Sequence, residues 1–177
     1  IPVTETVSKK SIYLLEDQMF RFWYRFVFPN LSPIVSGLGE QVYEYEVQPQ
    51  LTTYMGPVFE QICMQYLIKL MRRNELPFFI GRLGRWWGNN PKMKRQEEID
   101  LMSCRDTKAL FGECKWTNSL VDTDVLRDLV EQSQLFHYEE TYFYLFAKRG
   151  FTDQCLQQAL SMGNMYLITF AEMMNIE

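Results

Sequence analysis

The chain has 177 residues, of which 47% are hydrophobic, 15% aromatic and 23% charged. This length and composition predict a hydrophobic core, in one domain or in one domain with a fragment of another, and argue against disorder. The net charge of −4 argues against a surface coated by nucleic acid. We expect no membrane span, because no run approaches the roughly 20 apolar residues that a span needs.

Cysteine spacing and the start of the chain bear on the setting of the protein. The four cysteines show no C-x-x-C spacing, which argues against a zinc site and against a disulfide framework. We therefore expect a reducing, cytoplasmic setting. Residues 1–10 lack the apolar segment of a signal peptide. Because the first residue is Ile1, we expect a piece of a longer protein.

The first part of the chain predicts a strand over residues 11–16 and an aromatic-rich helix over residues 18–28, ending before Pro29. A second helix is predicted over residues 32–47, with Ser32 as its N-cap. Residues 48–50, Gln-Pro-Gln, are interpreted as a linker. We accordingly divide the chain into an N-terminal part, residues 1–50, and a main domain, residues 51–177.

The sequence of the main domain predicts alternating helices and strands. An amphipathic helix is expected over residues 57–73, with Glu60 off its apolar stripe. A polar turn is expected over residues 89–95. The order of elements predicts a mixed α/β sheet with helices on its faces. The further elements are strands over residues 84–88, 98–102, 109–116, 141–147 and 165–170, and helices over residues 121–137 and 152–159, the last capped by Thr152.

Two of these strands carry acids where they would face each other. If they form a hairpin turning between Asp106 and Thr107, Asp100 falls directly opposite Glu113, with Cβ atoms roughly 4.5–5.5 Å apart. Lys115 projects on the same side of its strand as Glu113, because side chains alternate. Two carboxylates so placed repel unless a proton or a cation lies between them. The plainer interpretation is a charge-compensated cluster.

These residues resemble the PD-(D/E)XK nuclease-like superfamily. Its core is a helix, a three-strand meander, a helix and a strand, and Ile99 stands where the motif has proline. The segments Gly84–Gly88, Glu98–Asp100 and Phe111–Trp116 resemble the C-terminal domain of an archaeal and bacterial family of P-loop, AAA-type ATPases. The resemblance implies an α/β fold with a restriction-endonuclease-like core, a central mixed sheet flanked by helices, and an N-terminal helical extension.

The activity that the resemblance implies is metal-dependent hydrolysis of phosphodiester bonds. Asp100 and Glu113 would bind Mg²⁺ or Mn²⁺, and the Cys114 carbonyl would add a ligand. Lys115 would orient the attacking water and stabilise charge on the phosphate. Glu60 would supply an outer or second-metal carboxylate, although a plain helix-surface role is as well supported.

A basic run points to phosphate contacts, with an ordinary solvated helix end and loop as the alternative. Arg85 and Lys94 are candidates for the nucleic-acid backbone, and Trp87 or Trp86 for stacking on an unpaired base. Gln132 and Gln134 are weaker site candidates. The run consists of Lys69, Arg72, Arg73, Arg82, Arg85, Lys92, Lys94 and Arg95, with Glu75 as its one acid.

The partners follow from the resemblance. We expect nucleic acid as a partner, with DNA preferred over RNA. We also expect the ATPase and winged-helix domains of a longer protein as partners. This chain has no P-loop motif, so ATP would bind only in that ATPase domain. A second copy of the same chain, in a homo-oligomer, is a further possible partner. The alternatives are a catalytically inactive module for nucleic-acid binding, docking or oligomerisation under control of the ATPase, and a toxin-like or defence component.

Overall fold

A computed structural model describes residues 2–5, 15–91 and 93–175 of the chain. The chain divides into two compact units. The smaller unit is the described part of Ile12–Val58, and the larger is the described part of Ile1–Ser11 together with that of Phe59–Glu177. The strand predicted over residues 11–16 falls mostly on residues outside the described ranges, as does Lys92 of the basic run.

The described part of the smaller unit is mainly helical. Asp17 caps the first helix by accepting a hydrogen bond from the Phe20 N–H at 2.9 Å. Phe26 is buried and its ring packs against Tyr54. The helical segments are α1 (Gln18–Phe22), a π-helix (Trp23–Val27), a 3₁₀ turn (Phe28–Asn30), α2 (Leu31–Val35), α3 (Gly39–Val42), a second π-helix (Tyr43–Val47) and the start of α4 (Gln48–Arg72).

Three boundaries in this unit differ from the predictions. The chain stays helical through Pro29, because the proline lies in the first turn of a 3₁₀ segment, where its missing N–H is tolerated. The helix predicted over residues 32–47 is broken at Gly37, whose φ of 85° is left-handed. The interpretation of residues 48–50 as a linker is wrong, since they begin α4 with Pro49 in its first turn.

The larger unit is built on one five-stranded sheet of order β1-β2-β3-β4-β5. β1 to β3 form an antiparallel meander, whereas β4 and β5 run parallel to β3 and β4 respectively. The helix-meander-helix-strand order confirms the predicted fold class. The strands are β1 (Gly84–Asn90), β2 (Arg95–Arg105), β3 (Lys108–Lys115), β4 (Glu140–Ala147) and β5 (Met165–Thr169), and the helices after β3 are α5 (Thr123–Ser133), α6 (Asp153–Met162) and α7 (Phe170–Met174).

Two apolar layers enclose the sheet. Phe59, Cys63 and Leu67 of α4 pack on one face against Leu110 and Phe146. On the opposite face, α5 and α6 cover a second cluster that includes Ile99, Phe111, Leu126, Phe143 and Ala159. The sheet is therefore buried on both sides, as expected for strands that carry few charges at their centres.

The helix boundaries around the sheet follow local capping. α5 is shorter than predicted, because Asp122 caps it at 2.7 Å from the Thr123 N–H and it ends at Ser133. Thr152 caps α6 as predicted, accepting from the Cys155 N–H at 3.2 Å. α7 was not predicted; Thr169 and Glu172 form a capping box at its start. Among the helices of the described residues, none is long and apolar enough to cross a membrane.

Candidate active site

The acids meet where β2 parts from β3. The two strands pair from Arg105 opposite Lys108 to Leu101 opposite Gly112. This register confirms the predicted hairpin, with its turn at Asp106 and Thr107, and Asp100 and Glu113 are the next residues outward from its last pair. There the Cys114 N–H donates to Asp100 Oδ2 at 2.9 Å instead of continuing the ladder.

A bulge in β2 aims Asp100 at this gap. Gly84 of β1 pairs with Met102, and Trp86 pairs with Ile99. Between these two pairs β2 therefore advances by three residues and β1 by two. The bulge is also visible in the packing, because Ile99 joins the α5 side of the sheet and Leu101 the α4 side. Residues two apart in a regular strand would share a face. Bulges re-aim side chains in this way beside active sites.

Glu113 and Lys115 form an ion pair on β3. Lys115 Nζ lies 2.5 Å from Glu113 Oε1, with side chains 35% and 17% exposed. Cys114 between them packs into the core under α4, so the two charged side chains project from the other face of the strand, as alternation predicts. The lysine thus neutralises part of the charge of a largely buried acid.

Both acids have a raised pKa. Burial raises the pKa of Glu113 to about 7, with Asp100 adding to the rise and Lys115 opposing it. Burial also raises the pKa of Asp100, while the hydrogen bond from Cys114 lowers it. A cation between the carboxylates would favour both ionised forms. The pair therefore has the electrostatics of a cation site that its lysine only partly satisfies.

Glu60 enters the same cluster from α4, but it is engaged by Arg85 of β1. Arg85 Nη2 pairs with Glu60 Oε2, and Arg85 Nε lies 2.9 Å from Glu98 Oε1 on β2. Burial and the charge of Asp100 raise the pKa of Glu60, whereas Arg85 lowers it. Glu98 is a site residue that the sequence reasoning missed. Its signal was its position two residues before Asp100, on a strand whose register could be predicted.

The proposed nucleic-acid contacts are split between two places. Trp87 is half-buried and pairs with Glu98 in the β1–β2 ladder, so it borders the acids. Arg85 is within the cluster and is paired rather than free. Lys94 lies in the turn at the tip of the β1–β2 hairpin, with a φ of 53°. It precedes Glu98 by four residues. The structure therefore brings Arg85 and Trp87 to the site and leaves Lys94 away from it.

Gln132 lies with a different acid. Its side-chain amide donates to Glu97 Oε2 at 3.0 Å, and Glu97 also accepts from Arg95 at 2.8 Å and from Asn90 at 3.3 Å. Burial raises the pKa of Glu97, but these three hydrogen bonds outweigh it and the pKa is lowered. Gln134, the C-cap of α5, is exposed. Gln132 thus belongs to a buried polar cluster that ties α5 to β1 and β2, not to the acids around Asp100.

The donor set fits a hard divalent ion with few protein ligands. Across residues 2–5, 15–91 and 93–175, no group of three or more His, Cys, Asp and Glu side chains is arranged to hold a metal. Mg²⁺ commonly takes one or two carboxylates and keeps several waters. The Cys114 carbonyl points to the β2 side, because in a strand it shares the direction of the Cys114 N–H. Asp100, Glu113 and this carbonyl therefore suit Mg²⁺ or Mn²⁺.

Comparison with known proteins gives a family match and a curated relative for this chain. A model of a family described as archaea bacterial proteins of unknown function, DUF234, matches residues 23–128. The uncharacterized protein MJECL04 of Methanocaldococcus jannaschii is 39% identical over 156 residues, which is 84% of this chain and 33% of the relative. The chain thus spans about a third of the length of the curated relative it matches.

Two solved structures share part of the architecture at low identity. The protein of unknown function AF1548 covers 64% of this chain and 58% of its own at 16% identity, with a TM-score of 0.42. MspJI restriction endonuclease in complex with a 27-mer oligonucleotide covers 75% and 30% at 11% identity, also with a TM-score of 0.42. The fold assignment rests on the strand order and register given above.

Proposed function

This chain belongs to the DUF234 family of archaeal and bacterial proteins, and we propose that it is a nuclease-like domain that hydrolyses phosphodiester bonds in DNA or RNA with Mg²⁺ or Mn²⁺. One observation carries the proposal. Asp100 lies one residue beyond the last β2–β3 pair, where its Oδ2 accepts the Cys114 N–H, and Lys115 is paired to Glu113, the neighbour of Cys114. Acid, acid and lysine on these two strands are the set that the nuclease resemblance requires.

Each residue has a role that its position supports. Asp100, Glu113 and the Cys114 carbonyl would hold the ion, which when bound lowers the pKa of a water and polarises the phosphoryl group. Lys115 orients the attacking water and stabilises negative charge on the phosphate, because its ammonium lies beside Glu113. Glu60 contributes from α4 as an outer carboxylate, held in place by Arg85.

The substrate class follows from the surroundings of the acids. Trp87 borders the site beside Glu98, and an indole face so placed stacks on an unpaired base. We propose DNA over RNA as the nucleic acid, in line with the nuclease resemblance. Lys94, at the hairpin tip, serves as a more distant phosphate contact.

The domain is proposed to work within a longer protein. The chain spans 33% of the M. jannaschii relative, which leaves room for the ATPase and winged-helix domains that the sequence resemblance implies. ATP would bind there and not in this chain. A cytoplasmic setting suits the four free cysteines, and self-association through the full-length protein is part of the same proposal.

A second candidate, a module that binds nucleic acid or docks without cutting, is favoured by two observations. Among the described residues no three acidic, histidine or cysteine side chains are arranged to hold a metal, and Arg85 already neutralises Glu60 and Glu98. Such a module would bind nucleic acid beside the same acids and leave every phosphodiester bond intact.

A cleavage assay separates the two candidates. Purified protein is incubated with supercoiled plasmid and with labelled single-stranded DNA and RNA, in Mg²⁺, Mn²⁺ or EDTA. We expect metal-dependent cutting that Glu113→Gln and Lys115→Met each abolish. Lys108→Met and Glu140→Gln are matched controls, because they break an exposed Lys–Glu pair of 2.9 Å between β3 and β4. Cutting that survived both site substitutions would overturn the assignment, and binding without cutting would favour the second candidate.

A further inference from the structure

Arg85 lies between two acids that approach the site from different elements. Its Nη2 pairs with Glu60 of α4, and its Nε lies 2.9 Å from Glu98 of β2. Two separate nitrogens of one guanidinium are used, so the group bridges the acids instead of choosing between them. The Arg85 side chain is only 29% exposed, and its position is fixed on both sides.

The acids around the gap fall into two pairs with different counter-charges. Asp100 and Glu113 share Lys115, which contacts Glu113 alone by an ion pair. Glu60 and Glu98 share Arg85, which contacts both. A guanidinium keeps its charge at every pH that proteins tolerate and presents a planar fork that matches carboxylates. Both acids of the second pair therefore contact their cation, whereas only one acid of the first pair does.

A divalent ion between Glu60 and Glu98 would need the space that the guanidinium fills. Mg²⁺ binds its oxygen ligands at roughly 2.0–2.1 Å, so an ion placed between Glu60 Oε2 and Glu98 Oε1 would displace the guanidinium that contacts both oxygens. Expelling Arg85 would strip a partly buried cation of two partners at once. Lys115 leaves more room for an ion, because its ion pair uses Glu113 Oε1 while Asp100 Oδ2 accepts the Cys114 N–H.

We propose that Arg85 takes the place of a second divalent ion, so that the centre binds one ion, at Asp100 and Glu113. The proposal deepens the proposed function and rests on it for the identity of the first site. Arg85 is a positioning residue here: it fixes Glu60 and Glu98 and limits the number of ions, and it is not assigned to the reacting phosphate.

Counting bound Mn²⁺ tests the proposal without an activity assay. The ion is titrated into the protein and free Mn²⁺ is followed by electron paramagnetic resonance. We expect one ion per wild-type chain, two in Arg85→Met, and one again in Arg85→Met with Glu98→Gln. Arg95→Met is the matched control, because Arg95 pairs with Glu97 at 2.8 Å in the cluster tied to α5. It should leave the count at one.

The outcomes separate this proposal from the proposed function. Two ions in the wild type, or one ion in a folded Arg85→Met, overturn the role of Arg85 and leave the first site standing. No ion in the wild type contradicts the Asp100–Glu113 site. In that case the Arg85→Met variant still tests the role of Arg85. If it binds one ion, and Arg85→Met with Glu98→Gln binds none, the role of Arg85 is supported. If Arg85→Met binds no ion, the role of Arg85 is overturned.

A second route covers a variant that does not fold, which circular dichroism will reveal. Glu98→Gln in the wild-type background should leave one ion bound with its affinity changed by less than about threefold, under 1 kcal/mol. A larger loss would make Glu98 a ligand and overturn the proposal.

Discussion

The side chain of Asp100 on β2 accepts a backbone hydrogen bond from β3: its Oδ2 lies 2.9 Å from the Cys114 N–H, just beyond the last β2–β3 pair. The contact opens the ladder by one residue and turns the Cys114 carbonyl toward the same gap. A carboxylate and a carbonyl oxygen are thereby presented together, beside Glu113, by strands whose central residues are buried.

Replacing Asp100 by asparagine should separate its two functions. An amide oxygen still accepts the Cys114 N–H, so we expect the thermal midpoint without metal to change little. The increase of that midpoint on adding Mn²⁺ should disappear, because one of two carboxylate ligands is gone. Asp106→Asn, at an exposed turn position with a φ of 54°, should keep the full Mn²⁺ effect, and the same loss in that control would contradict the site.

The stability of the metal-free protein should fall as pH rises through neutrality. Glu113 has a pKa of about 7 in the folded chain against an ordinary 4.5, so its protonated form is favoured by folding. The sign follows: this contribution is complete below about pH 4.5 and is lost as pH passes about 7. Urea unfolding in EDTA at several pH values measures it, with Glu113→Gln as the variant in which this slope should flatten. An unchanged slope in that variant would contradict the burial of an ionisable Glu113.

Metal binding should have the opposite dependence on pH. The ion binds the carboxylate form, so affinity should rise with pH up to about 7, where Glu113 becomes ionised. Below that value each pH unit should weaken binding up to about tenfold. Calorimetric titration of Mn²⁺ across this range checks the expectation, and an affinity independent of pH would count against Glu113 as a ligand.

Glu97 should matter for stability and not for the ion. Glu97→Gln keeps one acceptor oxygen but places its amide N–H₂ either against Gln132 or against Asn90 and Arg95, so we expect a loss of about 1–3 kcal/mol in the free energy of unfolding. The pKa of Glu97 is lowered from 4.5, so the deficit should shrink as pH falls below that value. Glu140→Gln, in an exposed pair, should cost less. A reduced Mn²⁺ affinity in Glu97→Gln would show that the two clusters are coupled.

Gly88 should resist substitution because Trp86 lies across it. A Cβ at Gly88 would come within 2.6 Å of the Trp86 ring, whereas a Cβ at Gly81 meets nothing within 4 Å. Trp86 packs edge-on against Phe136, with ring centroids 4.9 Å apart. We expect Gly88→Ala to cost about 1–3 kcal/mol and Gly81→Ala to cost little. Urea midpoints with near-ultraviolet circular dichroism measure both, and equal costs would contradict the packing of Trp86.

The hairpin that carries the acids could be predicted because it is local. A turn at Asp106 and Thr107 fixes every opposite pair outward from it, and the ladder follows that count. The bulge in β2 could not be predicted, because it appears only when β2 is paired with β1 as well. Its result, Ile99 and Leu101 on opposite faces, contradicts simple alternation.

The second half of the site depends on contacts between distant segments. Arg85 meets Glu60 across 25 residues of sequence, and no periodic pattern links them. Arginine in a basic run suggested a phosphate contact, but the sheet brings that arginine against two acids. The linker assigned to residues 48–50 failed for a local reason, because Pro49 suits the first turn of a helix as well as it suits a linker.

The most direct test is a crystal structure of the protein soaked in Mn²⁺, with the anomalous difference map calculated at the manganese edge. We expect a single peak per chain, bonded to the carboxylates of Asp100 and Glu113, with Arg85 still between Glu60 and Glu98. A map without a peak at Asp100 and Glu113, from a crystal grown above the pKa of Glu113, would contradict the metal centre on which the proposed hydrolysis depends.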